Sequence, residues 1–215
     1  LLQAGNDHVA DNYELVPMGL DRVAGFDADV LLVKPRDALR YGYRLWAEKG
    51  SHLLLRAEVL DGAGHVLESS AFSDVAIGVR LQLDSVLKPL HQLAGWRLLH
   101  SSQQSTQLEA EGWALKQSVP GFRGVSCVKR MLSGAAEQKA GEDAPALQAI
   151  YSDGLTYVSI FIEPYNPHRH SMPIETAMGA TRTLMRRQGD WWITVMGDVP
   201  IGTLRQFAMS VERKK

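Results

Sequence analysis

Between Tyr13 and Phe72 the chain alternates short apolar runs with turn residues, and that punctuation limits what it can fold into. Gly25-Phe26-Asp27, Pro35-Arg36-Asp37, Lys49-Gly50-Ser51 and Asp61-Gly62-Ala63-Gly64 separate runs of strand length. Strands at this spacing, each closed by Gly, Asp or Pro, predict an antiparallel meander. In Arg40-Tyr41-Gly42-Tyr43-Arg44-Leu45-Trp46 the alternation assigns Tyr41, Tyr43 and Leu45 to a buried face and Arg40, Gly42 and Arg44 to a wet one. Asp61-Gly62 is the strongest hairpin signal, although the four residues to Gly64 allow a longer loop.

The pattern decays after Gly78. Asp84 to Leu90 has the makings of one helical turn, and Ser101 to Thr106 is a polar run typical of linkers. The expected division is a first domain over residues 1–94, a linker over 95–107 and a second domain over 108–215. The second half restarts as α+β, with strands expected at Trp113-Ala114-Leu115 and Phe122 to Leu132 and a loop from Ser133 to Pro145. Ser152-Asp153-Gly154 and Gln188-Gly189-Asp190 mark two further hairpins, and residues 165–178 read as a loop. The strand 155–163 is apolar on both faces: Leu155, Tyr157 and Phe161 on one, Val158, Ile160 and Ile162 on the other. Such a strand needs a cover on each side. One cover is a closing helix, with Pro200 in its first turn and Ile201, Leu204, Phe207, Ala208 and Val211 on one face. Arg213, Lys214 and Lys215 are expected to end that helix and complement its dipole.

Composition excludes several partners. A net charge of −1 provides no field for nucleic acid. The basic residues of the C-terminal third, among them Arg182, Arg186, Arg187 and Arg205, read first as a solvated face and second as a docking patch for an acidic partner. Cys127 is the single cysteine, so no internal disulfide forms and cysteine usage does not fix the redox compartment. Apolar runs fall far short of the ~18 residues of a membrane span. The chain begins Leu1-Leu2-Gln3 without Met or a leader pattern, which is the expectation for a processed product or a fragment.

Motifs of catalysis fail one by one. Gly124-Val125-Ser126 lacks the second glycine of a nucleophile elbow, and Gly62-Ala63-Gly64 sits in a hairpin rather than opening a helix. His168 and His170 lack the further ligands of a metal site and read as part of a polar loop. Cys127, between valines in a strand, reads as an inert thiol. Glu58 and Asp61 flank Val59-Leu60 and Asp153 sits in a turn; turn geometry accounts for the aspartates, and nothing indicates a cleft-bound acid–base pair. No catalytic residue, metal or cofactor is expected. Trp191 and Trp192 point to opposite faces of one strand. Either one ring is core and the other covers a sheet edge or domain joint, or one anchors a partner beside Arg182 and Arg186.

The wording of both halves carries a resemblance. DRVAG (Asp21 to Gly25), PRDALRYGYRLW (Pro35 to Trp46) and LLLRAEVLDGAGHVLE (Leu53 to Glu68) are followed by VPGF (Val119 to Phe122) and YSDGLTYVSIFIEP (Tyr151 to Pro164). GATRT (Gly179 to Thr183) and ITVMGDVP (Ile193 to Pro200) complete the set. Together they resemble the RseB/MucB family of periplasmic regulators of envelope-stress sigma-factor signalling. The chain departs from the family at Phe26, where relatives carry Arg, and at Ser51-His52, where they have a Thr-Gly turn.

The resemblance implies part of a half-open β-barrel like that of lipoprotein carriers, then a smaller, mostly antiparallel α+β domain with a C-terminal helix. It also implies a periplasmic protein that binds the periplasmic segment of a transmembrane anti-sigma factor and shields it from the site-1 protease. Lipid or lipopolysaccharide would favour release, and a homo-oligomer is among the states it allows. On this reading Tyr157, Arg182, Arg186, Trp191 and Trp192 meet the partner, and Tyr41, Tyr43 and Leu45 face lipid. A lipid or lipoprotein carrier with no signalling partner is the alternative, and an enzyme is a distant third.

Overall fold

A computed structural model describes residues 9–79, 103–131, 145–170 and 172–214. A short helix, α1 (Val9–Asn12), leads into five strands: β1 (Tyr13–Val23), β2 (Phe26–Pro35), β3 (Gly42–Glu48), β4 (Leu54–Leu60) and β5 (Val66–Ala71). They pair in sequence order, each antiparallel to the next, as the turn punctuation predicts. The end strands β1 and β5 do not pair with each other, so the sheet is a half-open barrel. Ala24 and Gly25 both take positive φ in the β1–β2 turn, the twist a two-residue hairpin needs. His52 also has a positive φ, of 59°. That conformation suits the glycine expected of the family at this turn.

The faces of β3 require a correction. Trp46, which shares parity with the residues expected to be wet, is 4% exposed and packs with Val23, Ala28, Val30 and Leu55. Its indole Nε1 donates to Asp21 Oδ2 at 2.9 Å, and the Arg56 guanidinium lies 4.5 Å from its ring centre. Tyr43 and Leu45 are only half-buried, whereas Arg40 is buried. Arg40 and Tyr41 precede β3, so strand alternation does not set their directions.

The second sheet is built from β6 (Gln103–Ser105), β8 (Arg123–Met131), β9 (Pro145–Ser152), β10 (Tyr157–Pro164), β11 (Ile174–Met178), β12 (Thr181–Gln188) and β13 (Trp191–Gly197). Its order is β11-β12-β13-β10-β9-β8-β6. Helix α2 (Ile201–Ser210) covers one face, and β7 (Trp113–Leu115) pairs with β14 (Val211–Arg213) beside it. Val158, Ile160 and Ile162 of β10 are buried under Leu204, Phe207 and Ala208. Tyr157 and Phe161, on the other face, are half-buried. The architecture is therefore mostly antiparallel β with a C-terminal helix.

Several expectations change. The helix stops at Ser210, because Val211 turns extended while its N–H bonds back to Phe207 O. Arg213 therefore lies in β14 and stacks 4.7 Å from the Trp191 ring instead of ending the helix. The stretch expected as a 165–178 loop ends in β11. Leu155 lies in the turn before β10, and Pro200 caps α2 from outside its first turn. The polar run expected as a linker ends in β6, which pairs with β8. The helical turn near Asp84 and most of the Ser133 to Pro145 loop lie outside the described residues.

Candidate functional site

The two sheets meet at a buried ionic joint. Pro35 ends β2, and the bend that follows is fixed by Asp37, whose Oδ1 accepts from Leu39 N at 2.9 Å and from Arg40 Nε at 3.0 Å. This turns Arg40 inward. Its Nη1 donates to Asp153 Oδ2 at 3.1 Å and its Nη2 to Pro120 O at 2.9 Å, with both charged side chains 0% exposed. Tyr13 OH donates to the same Asp153 Oδ2 at 2.8 Å, while Asp153 Oδ1 accepts from Leu155 N and Thr156 N. Asn12 Nδ2 reaches Asp153 O at 3.2 Å. Every acceptor site of the carboxylate is used, the condition under which a buried ion pair is tolerated. Thr203 of α2 adds a 2.6 Å bond to Leu39 O.

The joint leaves a signature in its tyrosines. Burial, and then the Asp153 charge, push the Tyr13 phenol far above its ordinary range, and burial pushes Tyr43 up to about 12. The folded state thus holds these protons more tightly than the unfolded chain, whose tyrosines titrate near 10. Stability should be full below about pH 10 and fall as pH rises beyond it. Replacing Tyr13 with Phe should flatten that fall by up to ~1.4 kcal/mol per pH unit, the effect of one proton. Urea unfolding from pH 9 to 11, with phenolate absorbance in parallel, measures it. An unchanged slope in Tyr13→Phe would show that this phenol titrates freely.

Beside the joint lies a cleft of ≈ 980 Å³. Leu32 and Leu60 of the first sheet form one wall, and Ala177 of β11 with Pro200 and Ile201 forms the other. Cations stand around it. Arg182 Nε donates to Tyr41 OH at 3.1 Å, and Arg44 Nη1 donates to Glu58 Oε2 at 2.9 Å. Glu58 is buried between Arg44 and Arg56 and is no free acid. Asp61 caps the hairpin loop by accepting from Ala63 N and His65 N. Those bonds hold its carboxyl below the usual range. The bend carrying Asp37, Arg40 and Tyr41 serves both cleft and joint.

The residues singled out from sequence are scattered by the fold. Tyr41 and Arg182 line the cleft together, whereas Tyr43 and Leu45 do not. Tyr43 packs on Tyr13 at 6.5 Å. Trp191, Arg186 and Arg182 share the helix-side face of the second sheet, with Tyr157 and Trp192 on the other. Trp191 meets Trp113 edge-on at 5.4 Å. Trp192 is buried under His170, stacked at 4.9 Å and 4°, with Tyr165 nearby. His170 is therefore no mere loop polar group: its Nδ1 accepts from Asn166 N at 2.8 Å, and it closes the sheet over Trp192. Arg186 donates to Gln188 Oε1, and burial lowers its pKa. Cys127 is half-buried, and burial pushes its thiol up to about 11. Among the described residues no three His, Cys, Asp or Glu converge on a metal-sized space. Tyr13, Arg40 and Asp153 were missed as a set. The available signal was the Asp37-to-Arg40 spacing in a bend and the Asp153-Gly154 turn.

Comparison with known proteins decides the family. The MucB/RseB N-terminal domain model matches residues 1–90, and the MucB/RseB C-terminal domain model matches residues 107–212. The chain belongs to the MucB/RseB family. Among its relatives is the sigma-E factor regulatory protein RseB of Haemophilus influenzae, 26% identical over 99% of this chain and 63% of the relative. The sigma factor AlgU regulatory protein MucB of Pseudomonas aeruginosa is 29% identical over 94% of this chain and 61% of the relative. The chain thus spans about three-fifths of these curated relatives, 63% and 61%. A crystal structure of MucB in complex with MucA(peri) superposes with a TM-score of 0.74 at 26% identity, over 99% of this chain and 72% of that one. The Pseudomonas aeruginosa MucA/MucB complex gives 0.71 at 26% identity, over 96% and 67%. The MucB/RseB relatives are named as regulatory proteins, not enzymes.

Proposed function

We propose that this protein is a periplasmic regulator that acts by binding, without catalysis. It holds the periplasmic segment of a membrane-spanning anti-sigma factor in the cleft and shields it from site-1 proteolysis. The observation that carries this reading is the cleft itself. Its walls come from both halves of the chain, and it shares a bend with the buried joint. Apolar walls with cations at the rim suit a peptide of mixed apolar and acidic residues, and equally the acyl chain and headgroup of a lipid or lipopolysaccharide. The two occupants then compete, and lipid favours release through its own affinity for the cleft. In this reading residues 1–94 and 108–215 are the two cooperating domains. Tyr41 and Arg182 meet the occupant, while Tyr157, Arg186 and Trp191 would meet only a part of the partner lying outside the cleft, and Trp192, buried under His170, supports the sheet instead.

The test is a titration of a fluorescent synthetic anti-sigma periplasmic segment into the whole chain, with and without lipid micelles. Ala177→Trp fills the cleft from an exposed strand and should weaken the segment at least about tenfold, ~1.4 kcal/mol. Arg182→Ala should weaken it less and reduce the salt dependence. Segment binding that ignores both substitutions and lipid would sink the reading. A carrier without a signalling partner would instead take lipid in the same cleft and leave the segment unbound.

A further inference from the structure

We propose that β11 is a strand-addition site: an extended segment of the polypeptide partner pairs with the edge that no described strand occupies, alternate side chains falling into the cleft. This rests on the binding function proposed above and specifies how the partner is held.

The inference comes from comparing the edges of the sheets. Edge strands expose unpaired backbone groups and are normally blunted. β1 carries Pro17 and a register shift between Pro17 and Gly19. β5 pairs with β4 through an irregularity, and its Glu68 carboxylate accepts from Ala180 N at 3.4 Å, bracing it on the second sheet. β6 has three residues. β11 carries one charge, Glu175, held by Arg205, but no proline, bulge or lysine. Ile174–Met178 pairs with β12 in unbroken register and is exposed at all five positions.

Its position decides the occupant. Glu175, Thr176 and Ala177 line the cleft, so a strand laid on this edge runs along the cleft mouth. Glu175 is held by Arg205 of α2 through bonds of 2.9 and 2.7 Å, which ties β11 to the helix. Ile174 and Met178 alternate onto the opposite face at 49% and 80% exposure, with Met172 just before them at 76%. An incoming strand thus finds a backbone ladder, apolar contacts on one side and the cleft on the other. Five residues at ~3.3 Å each accept about one short strand. Lipid has no ladder to offer, so the geometry favours polypeptide.

The experiment is residue-resolved amide hydrogen exchange on the whole chain, with and without the synthetic anti-sigma periplasmic segment. The expected result is slowed exchange at alternate amides within 174–178 in the complex. The doubly substituted Ile174→Lys, Met178→Lys chain should keep its fold by circular dichroism and lose at least about tenfold in affinity, since edge lysines deter strand pairing. A complex that leaves these amides unchanged overturns strand addition while the binding function stands. Absence of any complex removes both. Protection that grows with protein concentration, without the segment, overturns the proposal in favour of a second copy on this edge.

Discussion

Replacing Asp153 with alanine is expected to lower folding stability by about 3–5 kcal/mol. The substitution leaves Arg40 buried, at 0% side-chain exposure, without its anionic partner. Tyr13 OH and the amides of Leu155 and Thr156 lose their acceptor as well. Asp153→Asn keeps an acceptor for the turn amides and should fall between the wild type and the alanine variant. Removing both charges, by Arg40→Met with Asp153→Leu, should restore part of the loss, because the unpaired ion is the main penalty. Urea unfolding followed by tryptophan fluorescence and far-UV circular dichroism measures all four chains. The same data test the joint: the alanine variant should split one transition into two, since Asn12, Tyr13 and Arg40 reach across to Asp153. A loss below about 1 kcal/mol would mean that water reaches Arg40.

That joint shows where a single sequence stops being legible. The meander and its turns were readable because a period of two and Gly, Asp and Pro punctuation are local signals. The two later hairpins and the α2 core face were readable for the same reason. Arg40 and Asp153 are 113 positions apart, and each already had a local explanation as a bend or turn residue. Nothing in either neighbourhood marked it as half of a buried pair. β11 reads as loop in the sequence because all its residues are exposed, so no buried face imposes a pattern that would record its pairing. Trp46 breaks the face assignment of β3 because its face packs on Val23, Ala28, Val30 and Leu55, contacts made by other strands. The cleft was illegible for a similar reason, since its walls come from residues 32–64 and 175–201. Arg182 and Tyr41 each stand out in the sequence, one for the partner and one for lipid, but they are 141 positions apart and nothing local joins them.

Phe207→Ala should cost about 3–5 kcal/mol, with the damage centred in the second half. The ring is fully buried on α2, edge-on to Phe122 at 5.4 Å and tilted on Tyr151 at 5.3 Å. Its removal opens a cavity between the helix and the sheet face formed by Val158, Ile160 and Val195, and the surrounding backbone cannot close it fully. Phe207→Leu keeps most of the volume and should recover at least half of the loss. The consequences should travel to the cleft. The same helix bonds Leu39 O through Thr203 and grips β11 through Arg205. A loosened α2 therefore relaxes one cleft wall and the bend beside the joint together. Segment affinity measured well below the unfolding midpoint should fall in Phe207→Ala although the residue does not line the cleft. If stability drops as expected while affinity is unchanged, α2 is a structural cover only, and β11 keeps its position without it.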